Sequence, residues 1–494
     1  MDWYSQHSYC SDLPTSPVPG IGRILVTGAS GYIGGRLVPE LVERGYQVRA
    51  MVMSHSEAYA ERWPGAEIVV ADALDADQLR KALSDVSVAY YLIHSMLTTR
   101  KRFAETELRA VVNFQIVAQE RKLQRIIFLG TLGESRQMLS GPLDERMNVA
   151  KMLSKGSVPV TILRAALIFG SGSASFEILD HIVRNSPVFF LPYWSKTPIQ
   201  PISIRDVIKY LVGVLETRET EGKEYDIGGD DILNFREMMK ILGKLLHKRR
   251  LFLPSPFSSI RLYSYLMSLI SPVPAQIVAS ILNGLKKEVI VRNDEIKKKI
   301  DFKTIRFKVT LLRALSREEH DKISTRWSDA YPPAHELSIK LRELDTLPRY
   351  RSEYFILTEK KSSEIFEAIC QIGGNHGWFN TNWMWRIRGR IDRLFMGVGT
   401  SRGRRSANSL RINDVIDFWR VEELEKDKRL ILRAEMRLPG KAWLEFKIEP
   451  ELSKNRLTVI AYFSPRGFAG KLYWYNFLPF HHIIFKDLTK QLTR

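Results

Sequence analysis

Residues 24–34 read Ile24-Leu25-Val26-Thr27-Gly28-Ala29-Ser30-Gly31-Tyr32-Ile33-Gly34, and this stretch decides the fold. An apolar run leads into a turn with three glycines, and a helical apolar pattern follows at positions 37, 38, 41 and 42. A strand, a glycine-rich turn and a helix in this order form an anion site, because backbone N–H groups and the helix dipole point to one place. Gly28 permits the tight turn, Gly31 lets the backbone approach phosphates, and Gly34 lets the helix pack on the strand. The stretch therefore predicts binding of a dinucleotide pyrophosphate, and the alternative is a strand–helix turn that binds no ligand.

Composition limits the class of protein. A chain of 494 residues is long enough for two or three domains. Its two cysteines, Cys10 and Cys370, cannot form a disulfide framework, so we expect a reducing, cytoplasmic compartment. Residues 1–20 contain prolines and serines without a cationic start and an apolar core, and we interpret them as a flexible tail rather than a signal peptide.

The formal net charge of +19 includes a cluster of arginines between positions 386 and 411. Such a charge suits nucleic acid, an anionic membrane surface, an acidic ligand, or a solvated surface without a partner. No known nucleic-acid docking module surrounds the cluster, so we expect no specific nucleic-acid partner.

Strand and helix patterns alternate along residues 21–250. The strand patterns cover residues 24–26, 47–53, 67–71, 88–94, 125–130 and 158–163. This alternation predicts an α/β domain with a Rossmann-type, doubly wound parallel sheet covered by helices on both faces. Ligands of such sheets collect beyond the carboxyl ends of the strands. We therefore expect Asp72-Ala73, His94 and Thr131 on the same rim as the glycine-rich turn.

The end of the second strand indicates which dinucleotide binds. A carboxylate there accepts from the ribose 2′-OH of NAD, whereas a basic residue favours the 2′-phosphate of NADP. This sequence has no carboxylate before Glu57, and Ser54 and His55 could donate to a phosphate. NADP is therefore preferred and NAD stays open, since the expected arginine is also missing.

Several motifs resemble those of one family. Thr27–Gly34, Val48–Val52 and Ala71–Asp75 resemble the extended and atypical short-chain dehydrogenases. Further motifs resemble the NAD(P)-binding branch that includes NmrA-like proteins and complex I-associated subunits; they lie at 90–96, 127–133, 163–166, 200–202, 205–207 and 225–229. In one bacterial subgroup of this branch the domain is fused to a C-terminal domain of unknown function. The resemblance implies the fold more firmly than the reaction.

The resemblance also frames the catalytic residues. Short-chain dehydrogenases use Tyr-x-x-x-Lys with an upstream Ser or Thr, and here the matching positions are Met147, Lys151 and Thr131. Methionine cannot transfer a proton, although Lys151 could still bind the ribose. We therefore hypothesise that His94 or water is the acid, since histidine titrates near neutral pH. A backbone-bonded, purely structural His94 is the alternative.

The residues assigned to the site follow from these arguments. The catalytic candidates are His94, Thr131 and Lys151. The cofactor-binding candidates are Gly28, Ser30, Gly31, Tyr32, Ile33, Gly34, Ser54, His55, Asp72, Ala73 and Lys151. No metal site is assigned. For Arg164 two roles stay open, a structural one through a carboxylate such as Asp206 and contact with substrate or cofactor.

Residues 251–345 read as an apolar helical extension and linker. The segment 262–285 has no charged residue, but its prolines argue against a membrane span. Two short apolar helices that meet at Pro272-Val273-Pro274 fit better. They either pack between domains or lie on a membrane, next to Lys286 and Lys287.

Residues 346–494 form a separate α+β domain in this interpretation. Four strand patterns follow two helices, at 415–421, 430–436, 443–448 and 457–463, and a final aromatic helix covers 472–488. The arrangement resembles a helix-grip, lipid-transfer-like fold. Its aromatic residues either form ordinary core or line an apolar cavity; they are Trp378, Trp383, Trp385, Trp443, Tyr473, Trp474 and Tyr475.

Three functions are consistent with the sequence. The first is an NAD(P)-dependent oxidoreductase that acts on a bulky apolar or isoprenoid-like molecule, so that its expected partner is a small apolar molecule or a lipid. The second is a non-catalytic NAD(P)-binding assembly or sensor protein, which Met147 favours. The third is a lipid carrier with a Rossmann scaffold. In each case the protein is expected to be cytoplasmic, with a peripheral position on a membrane as an open option.

Overall fold

The computed structural model separates into two compact units. The first comprises Met1–Ile270 and Ala275–Pro333, and the second Ser271–Pro274 and Ala334–Arg494. The residues described by the structure are 8–53, 56–93, 100–132, 149–316, 325–330, 341–344, 346–374, 376–395, 397–399, 404, 406 and 409–494.

The first unit is built on a seven-stranded parallel sheet with the strand order β10-β6-β5-β4-β1-β2-β3. Its strands are β1 (Arg23–Val26), β2 (Val48–Val52), β3 (Ala66–Val70), β4 (Val86–Tyr91), β5 (Arg125–Thr131), β6 (Val160–Ala165) and β10 (Glu224–Ile227). Ile24 of β1 pairs with Val48 of β2 on one side and with Val88 of β4 on the other. The chain order reverses at β1, so the crevice at its carboxyl end is where such a sheet binds ligands.

Helices connect these strands, as the alternating pattern predicts, and further helices follow β10. They are α1 (Gly34–Glu43), α2 (Ser56–Arg62), α3 (Ala76–Ala82), α4 (Arg100–Glu120), α5 (Ala174–Asn185), α6 (Ile204–Glu216), α7 (Phe235–Leu245), α8 (Ile260–Ile270), α9 (Ala275–Gly284), α10 (Glu295–Lys299) and α11 (Phe307–Leu315). Residues 149–153 are also helical.

The sheet has an apolar core on each face. Ile24 and Val26 belong to one buried cluster, together with residues of α1 and α6, whereas Leu25 belongs to a second cluster with residues of α3 and α4. Successive side chains of a strand point to opposite faces, so this division shows that helices cover both sides. The predicted Rossmann-type doubly wound sheet is therefore confirmed.

Two smaller parallel pairs extend the first unit. They are β7 (Ile168–Phe169) with β9 (Ile202–Ser203), and β8 (Val188–Leu191) with β11 (Leu251–Pro254). The uncharged segment forms α8 and α9, two short helices that pack against each other, as predicted. Within the described residues, every helix is too short or too polar to cross a bilayer.

The second unit contains a six-stranded antiparallel sheet with the order β12-β17-β16-β15-β14-β13. Its strands are β12 (Tyr350–Thr358), β13 (Val415–Ile416), β14 (Trp419–Glu425), β15 (Arg429–Ala434), β16 (Gly440–Glu451) and β17 (Lys454–Pro465). Its helices are α12 (Ser362–Cys370), α13 (Asn382–Leu394) and α14 (Gly467–Leu492), and α14 packs on β12 and β17. The predicted separate α+β domain is confirmed.

One predicted strand, 415–421, is a hairpin instead. β13 ends at Ile416 and β14 begins at Trp419, and Asp417 between them has a φ of 55°. Aspartate enters the left-handed region more easily than most residues, so it can form a two-residue turn without glycine. The sequence offers no glycine at this turn, which is why its pattern reads as one strand.

Candidate functional site

The glycine-rich turn joins the carboxyl end of β1 to α1, and its glycines are required by geometry. Gly28 has a φ of +61°, and a Cβ at this position would lie 2.6 Å from the Leu92 carbonyl oxygen. A Cβ on Gly34 would lie 2.4 Å from the Gly28 carbonyl oxygen. Both positions therefore exclude any side chain, because the opposing atoms belong to the backbone and cannot rotate away.

The helix that follows begins without a cap of its own. The N-cap residue of α1 is Ile33, which makes no side-chain capping hydrogen bond, and the first turn contains no acidic residue. The Gly35 N–H donates to the Gly31 carbonyl oxygen and the Arg36 N–H to the Ile33 carbonyl oxygen, both at 3.0 Å, so the helix dipole is what favours an anion at this end. The start of α1 therefore fits a phosphate group, which is the role predicted for Gly28, Ser30, Gly31, Tyr32, Ile33 and Gly34.

The turn is fixed to the neighbouring strand β4. The backbone N–H and the Oγ1 hydroxyl of Thr27 both donate to the Tyr90 carbonyl oxygen, at 3.0 and 2.9 Å, and the Leu92 N–H donates to Thr27 Oγ1 at 3.1 Å. Buried hydrogen bonds of this kind hold the two strand ends in one position. These hydrogen bonds connect the end of β1 to the end of β4 on the rim where a dinucleotide would lie.

Asp72 and Ala73 follow β3, where their hydrogen bonds form a turn. The Leu74 N–H donates to Asp72 Oδ1 at 2.9 Å, and Asn113 Nδ2 donates to the Ala73 carbonyl oxygen at 3.2 Å. Ala73 itself is buried in the core beside α3 and α4. The structure gives these two residues a structural role at the rim, and their contact with a cofactor stays a prediction.

Thr131 ends β5 in register with Ala165 of β6, and Lys151 is exposed on the helical residues 149–153. His94, Ser54 and His55 lie outside the described residues, as does Met147. The roles predicted for all of them stay predictions.

A buried arginine that sequence reasoning missed supports the start of α1. The Arg36 guanidinium lies 4.3 Å from the centre of the Tyr32 ring. It donates to the Ser171 carbonyl oxygen at 2.9 Å and to the Thr325 carbonyl oxygen at 3.0 Å. Arg36 therefore connects the first turn of α1 to two distant segments of the chain, and it belongs to the support of the site rather than to its surface.

A distant segment, residues 325–330, docks beside the turn. Thr325 Oγ1 donates to the Tyr32 carbonyl oxygen at 2.7 Å, and the Trp327 N–H donates to the Gly172 carbonyl oxygen at 2.8 Å. Glu177 of α5 accepts from Arg326 Nη1 at 3.0 Å and from Trp327 Nε1 at 2.7 Å. No sequence signal indicates this contact, because Thr325 and Tyr32 are 293 positions apart.

A second missed residue places a cation next to the turn. Arg62 ends α2, and its Nη2 atom lies 3.4 Å from the position that a Cβ on Gly35 would take. It also lies over the ring of Trp63, at 5.1 Å from the ring centre. The end of α2 thus brings an arginine side chain close to the first turn of α1.

Arg164 has the structural role that was one of its two predicted options. Its Nε donates to Asp226 Oδ1 at 2.7 Å and its Nη1 to Glu224 Oε2 at 3.1 Å, both on the adjacent strand β10. Asp206, the carboxylate named from the sequence, is the wrong partner. It is buried, it accepts from the Ile305 N–H at 2.8 Å, and burial raises its pKa to about 7.

Comparison with known proteins identifies two family matches. Residues 21–282 match the model of the NmrA-like family. Residues 348–488 match a family described as a protein of unknown function (DUF2867). Both matches confirm the resemblance found in the motifs, including the fused C-terminal domain.

Relatives of the first unit have varied names. The chain is 24% identical over 224 residues to NADH dehydrogenase (ubiquinone) 1 alpha subcomplex subunit 9, mitochondrial, of Dictyostelium discoideum, covering 44% of this chain and 62% of that protein. It is 24% identical over 251 residues to divinyl chlorophyllide a 8-vinyl-reductase, chloroplastic, of Cucumis sativus, covering 47% and 59%. The photosystem II assembly factor Ycf39 of Synechocystis is 22% identical, covering 45% and 67%. The chain thus spans about three fifths of the length of the first two relatives.

Solved structures also resemble the chain. The triphenylmethane reductase of Citrobacter sp., complexed with NADP(H), has a TM-score of 0.49 and 21% identity, covering 59% of this chain and 100% of that one. The enzyme WbmG of Bordetella bronchiseptica, in complex with NAD and UDP, has a TM-score of 0.48 and 13% identity, covering 62% and 96%.

Proposed function

The chain belongs to the NmrA-like family, and from this premise we propose that it binds a nicotinamide dinucleotide and uses it to reduce a bulky apolar molecule. The observation that carries the proposal is the start of α1, where an uncapped helix end without acidic residues follows a turn that tolerates no side chain at Gly28 or Gly34. This combination fits a pyrophosphate, since the backbone of the turn can approach the ligand closely.

NADP(H) is the proposed cofactor, with NAD(H) as a weaker ligand. The guanidinium of Arg62 beside Gly35 supports this preference, because a cation near the adenosine ribose favours a 2′-phosphate. Ser54 and His55 are proposed as further donors to the same phosphate. The name of one relative, a vinyl reductase, agrees with reduction as the direction of the reaction.

The proposed chemistry needs a hydride and a proton. A bound NADPH supplies the hydride. His94, which follows β4 in the sequence, is proposed to donate the proton to the atom that becomes negatively charged, with water as the alternative donor. Lys151 is proposed to hold the nicotinamide ribose, and Thr131 to supply the hydroxyl group that orients the reacting part of the substrate.

An exposed apolar surface in the first unit supports an apolar substrate. Val188 and Phe190 of β8 pair in register with Leu251 and Leu253 of β11, so all four side chains lie on one face of this two-stranded sheet, and all four are exposed. A polar, water-soluble ligand would not account for an exposed apolar surface of this kind. A large apolar molecule or a membrane would cover it, which agrees with the predicted apolar partner.

Binding of NADPH and NADH to the whole protein tests the cofactor. Arg62→Ala should weaken NADPH binding by roughly tenfold and change NADH binding little, because only NADPH loses a charge-assisted contact. Arg109→Ala, an exposed arginine on α4, is the matched control and should change neither. Equal losses for both dinucleotides would contradict a 2′-phosphate contact, and absence of binding in the unmodified protein would overturn the proposed function.

NADPH consumption in the presence of cell lipid extracts tests the reaction. The unmodified protein should consume NADPH, and His94→Ala should lower the rate by a factor of about 100 or more if the side chain donates the proton. Full turnover by His94→Ala would show that the donor is water or another group. If the protein binds NADPH but consumes it with none of the extract fractions, a non-catalytic role is favoured.

A non-catalytic role is the second candidate, and one sequence observation favours it. Met147 stands where short-chain dehydrogenases carry the catalytic tyrosine. Two of the relatives are named as a subunit of NADH dehydrogenase and as an assembly factor. For this candidate, NADPH should alter the affinity for a protein partner rather than be oxidised. A lipid carrier, the third candidate, would bind apolar molecules with no affinity for either dinucleotide.

We further propose a cytoplasmic protein that is peripheral to a membrane. Buried, unpaired Cys10 and Cys370 support a reducing compartment. Exposed Leu262 and Leu266 on α8 support contact with lipid. Polar replacements at Leu266, Leu269 and Ile270 should reduce flotation with liposomes, whereas Leu108→Gln with Ile116→Gln, two exposed apolar residues of α4, should not. Equal flotation of all variants would contradict a role for α8.

A further inference from the structure

Helix α13 of the second unit presents an apolar stripe to solvent. Trp383, Ile387 and Ile391 follow one another at intervals of four residues, and their exposed fractions are 57%, 45% and 45%. Leu394 continues the stripe and is 60% exposed. Residues four apart lie on the same face of a helix, so these side chains form one continuous surface about 15–20 Å long.

The opposite face of α13 anchors the helix to its unit. Trp385 stacks on Trp378 with ring centres 4.5 Å apart, and it contacts the ring of Phe418 at 5.6 Å. The buried Asp392 accepts from the Gly399 N–H at 2.9 Å and from the Arg437 N–H at 2.7 Å. The inner face of the helix thus packs within the second unit, whereas the outer stripe is exposed and does not contribute to this packing.

Positive charge borders the stripe. Arg386 and Arg390 are exposed and directly precede Ile387 and Ile391, whereas Arg388 and Arg393 are half-buried. The only acidic residue within Asn382–Leu394 is Asp392, whose buried carboxylate accepts hydrogen bonds on the inner face of the helix. An apolar surface with a cationic border and no exposed acid is typical of a helix that lies in a membrane interface.

We propose that α13 docks on an anionic lipid bilayer, with Trp383, Ile387, Ile391 and Leu394 inserted between the headgroups and the arginines beside lipid phosphates. The arrangement of charge favours an anionic bilayer over nucleic acid as the partner of this surface. Nucleic acid would need the arginines at the centre of the surface, whereas here apolar residues occupy the centre and the arginines its edge. Tryptophan at one end also suits the interface, where its ring is partly wet.

Co-sedimentation of the whole protein with vesicles tests the proposal. Vesicles of phosphatidylglycerol and phosphatidylcholine in equal parts should bind the protein, and vesicles of phosphatidylcholine alone should bind it much more weakly. Added salt should weaken binding, since it screens the arginines. Arg386→Gln and Arg390→Gln should each weaken binding by about fivefold. The control pair is Lys426→Gln with Lys428→Gln, which removes two exposed charges at the β14–β15 turn and should change binding little.

The apolar stripe has a control of its own. Combining Ile387→Gln, Ile391→Gln and Leu394→Gln should weaken vesicle binding by at least about tenfold, because three partly inserted side chains become polar. Leu357→Gln with Leu452→Gln changes exposed apolar residues elsewhere in the second unit and should have little effect. Unchanged circular dichroism and an unchanged urea-unfolding midpoint of the second unit, both measured without vesicles, show that each variant folds. Because these variants leave α8 intact, they distinguish this proposal from the one for the first unit.

Quenching by brominated lipids gives a direct reading of depth. Trp383 should be quenched in the unmodified protein, and Trp383→Phe should remove most of the vesicle-dependent quenching. Full binding of the triple glutamine variant, or equal binding to both kinds of vesicle, would overturn the proposal. A change of oligomeric state in that variant without any vesicle binding by the unmodified protein would also overturn it, in favour of a protein partner.

Discussion

Gly28 is constrained in two separate ways. Its φ of +61° disfavours any residue with a Cβ, and that Cβ would also meet the Leu92 carbonyl oxygen at 2.6 Å. Gly45 shares only the first constraint, since its φ is +87° and no atom of the described residues lies within 4 Å of the position that its Cβ would take. The pair therefore separates backbone strain from steric exclusion.

We predict that Gly45→Ala lowers the free energy of unfolding by about 1–2 kcal/mol and leaves NADPH binding intact. Gly28→Ala should cost more than this and should abolish detectable NADPH binding, because the turn must move away from Leu92. Urea unfolding and fluorescence titration with NADPH measure the two effects. Normal NADPH affinity in a folded Gly28→Ala protein would contradict the assignment of the site.

Asp417 is buried beside Trp378, whose Nε1 donates to Oδ2 at 2.7 Å. Burial raises the pKa of Asp417 to about 6 from the model-peptide value of 3.8, although the Trp378 hydrogen bond opposes the shift. The folded state therefore binds the proton more tightly than the unfolded state does. The contribution of protonated Asp417 to the free energy of unfolding is therefore fully present below the pKa of Asp417 in the unfolded state. It is lost as the pH rises through the pKa of Asp417 in the folded state.

We predict that Asp417→Asn gains stability relative to the unmodified protein between about pH 4 and pH 7, by about 3 kcal/mol. The variant has no charge to bury at neutral pH, so its free energy of unfolding does not fall as the pH rises, whereas that of the unmodified protein falls when Asp417 ionises. Urea unfolding across this pH range measures the difference. Glu367→Gln, an exposed carboxylate on α12, should show little pH-dependent difference, and parallel pH profiles for Asp417→Asn and the unmodified protein would refute the raised pKa.

Two arginines show what a sequence cannot reveal about single side chains. The Arg62 side chain lies beside Gly35 of α1, and the buried Arg36 donates to the carbonyl oxygens of Thr325 and Ser171. Both contacts depend on tertiary packing between segments far apart in the chain. The glycines, in contrast, were predictable because their role depends on local backbone geometry.

The central strands of the parallel sheet and their helices were predictable because each has a strong apolar period. The accessory strands β8 and β11 were missed, since each has only four residues and its pairing partner lies about 60 positions away. The β13–β14 turn was missed because an aspartate replaces the expected glycine. Short elements and unusual turn residues are where local patterns carry too little information.

Two side chains of the segment 325–330 donate to one carboxylate of α5. Glu177 is buried and accepts from both Arg326 and Trp327. We predict that Glu177→Ala lowers the free energy of unfolding by about 2–4 kcal/mol, because it leaves a partly buried guanidinium and an indole N–H without their acceptor.

Asp180→Ala is the matched control on the same helix. Asp180 pairs with Arg184, which is 39% exposed, so its loss should cost no more than about 1 kcal/mol. Hydrogen exchange at the amides of 325–330 should rise in Glu177→Ala and stay unchanged in Asp180→Ala. Equal costs for the two variants would show that the segment is held by its other contacts.

The positive charge of the chain gains meaning when the two units are considered separately. In the first unit, Arg62 lies beside the proposed phosphate site, and Arg36 and Arg164 are structural. In the second unit, the arginines of α13 border an apolar stripe. The basic composition is therefore divided among a proposed ligand site, structural arginines and a proposed lipid surface, and no single partner accounts for it.

The two units have separate cores, and this makes the proposed cofactor site testable in the intact protein. The first unit is built around apolar clusters on both faces of the parallel sheet, whereas Trp443 and Tyr462 belong to a cluster within the second unit. A ligand stabilises only the unit whose native state it binds.

We predict that NADPH at 100 times its dissociation constant stabilises the first unit by about 2.7 kcal/mol, which raises its melting temperature by roughly 4 °C or more, and leaves the unfolding transition of the second unit unchanged. Differential scanning calorimetry with and without NADPH measures both transitions, and tryptophan fluorescence during the scan assigns the second, because six of the ten tryptophans follow position 377. A shift of both transitions together would show that the units unfold as one, and no shift at saturating NADPH would remove the cofactor from the proposed function.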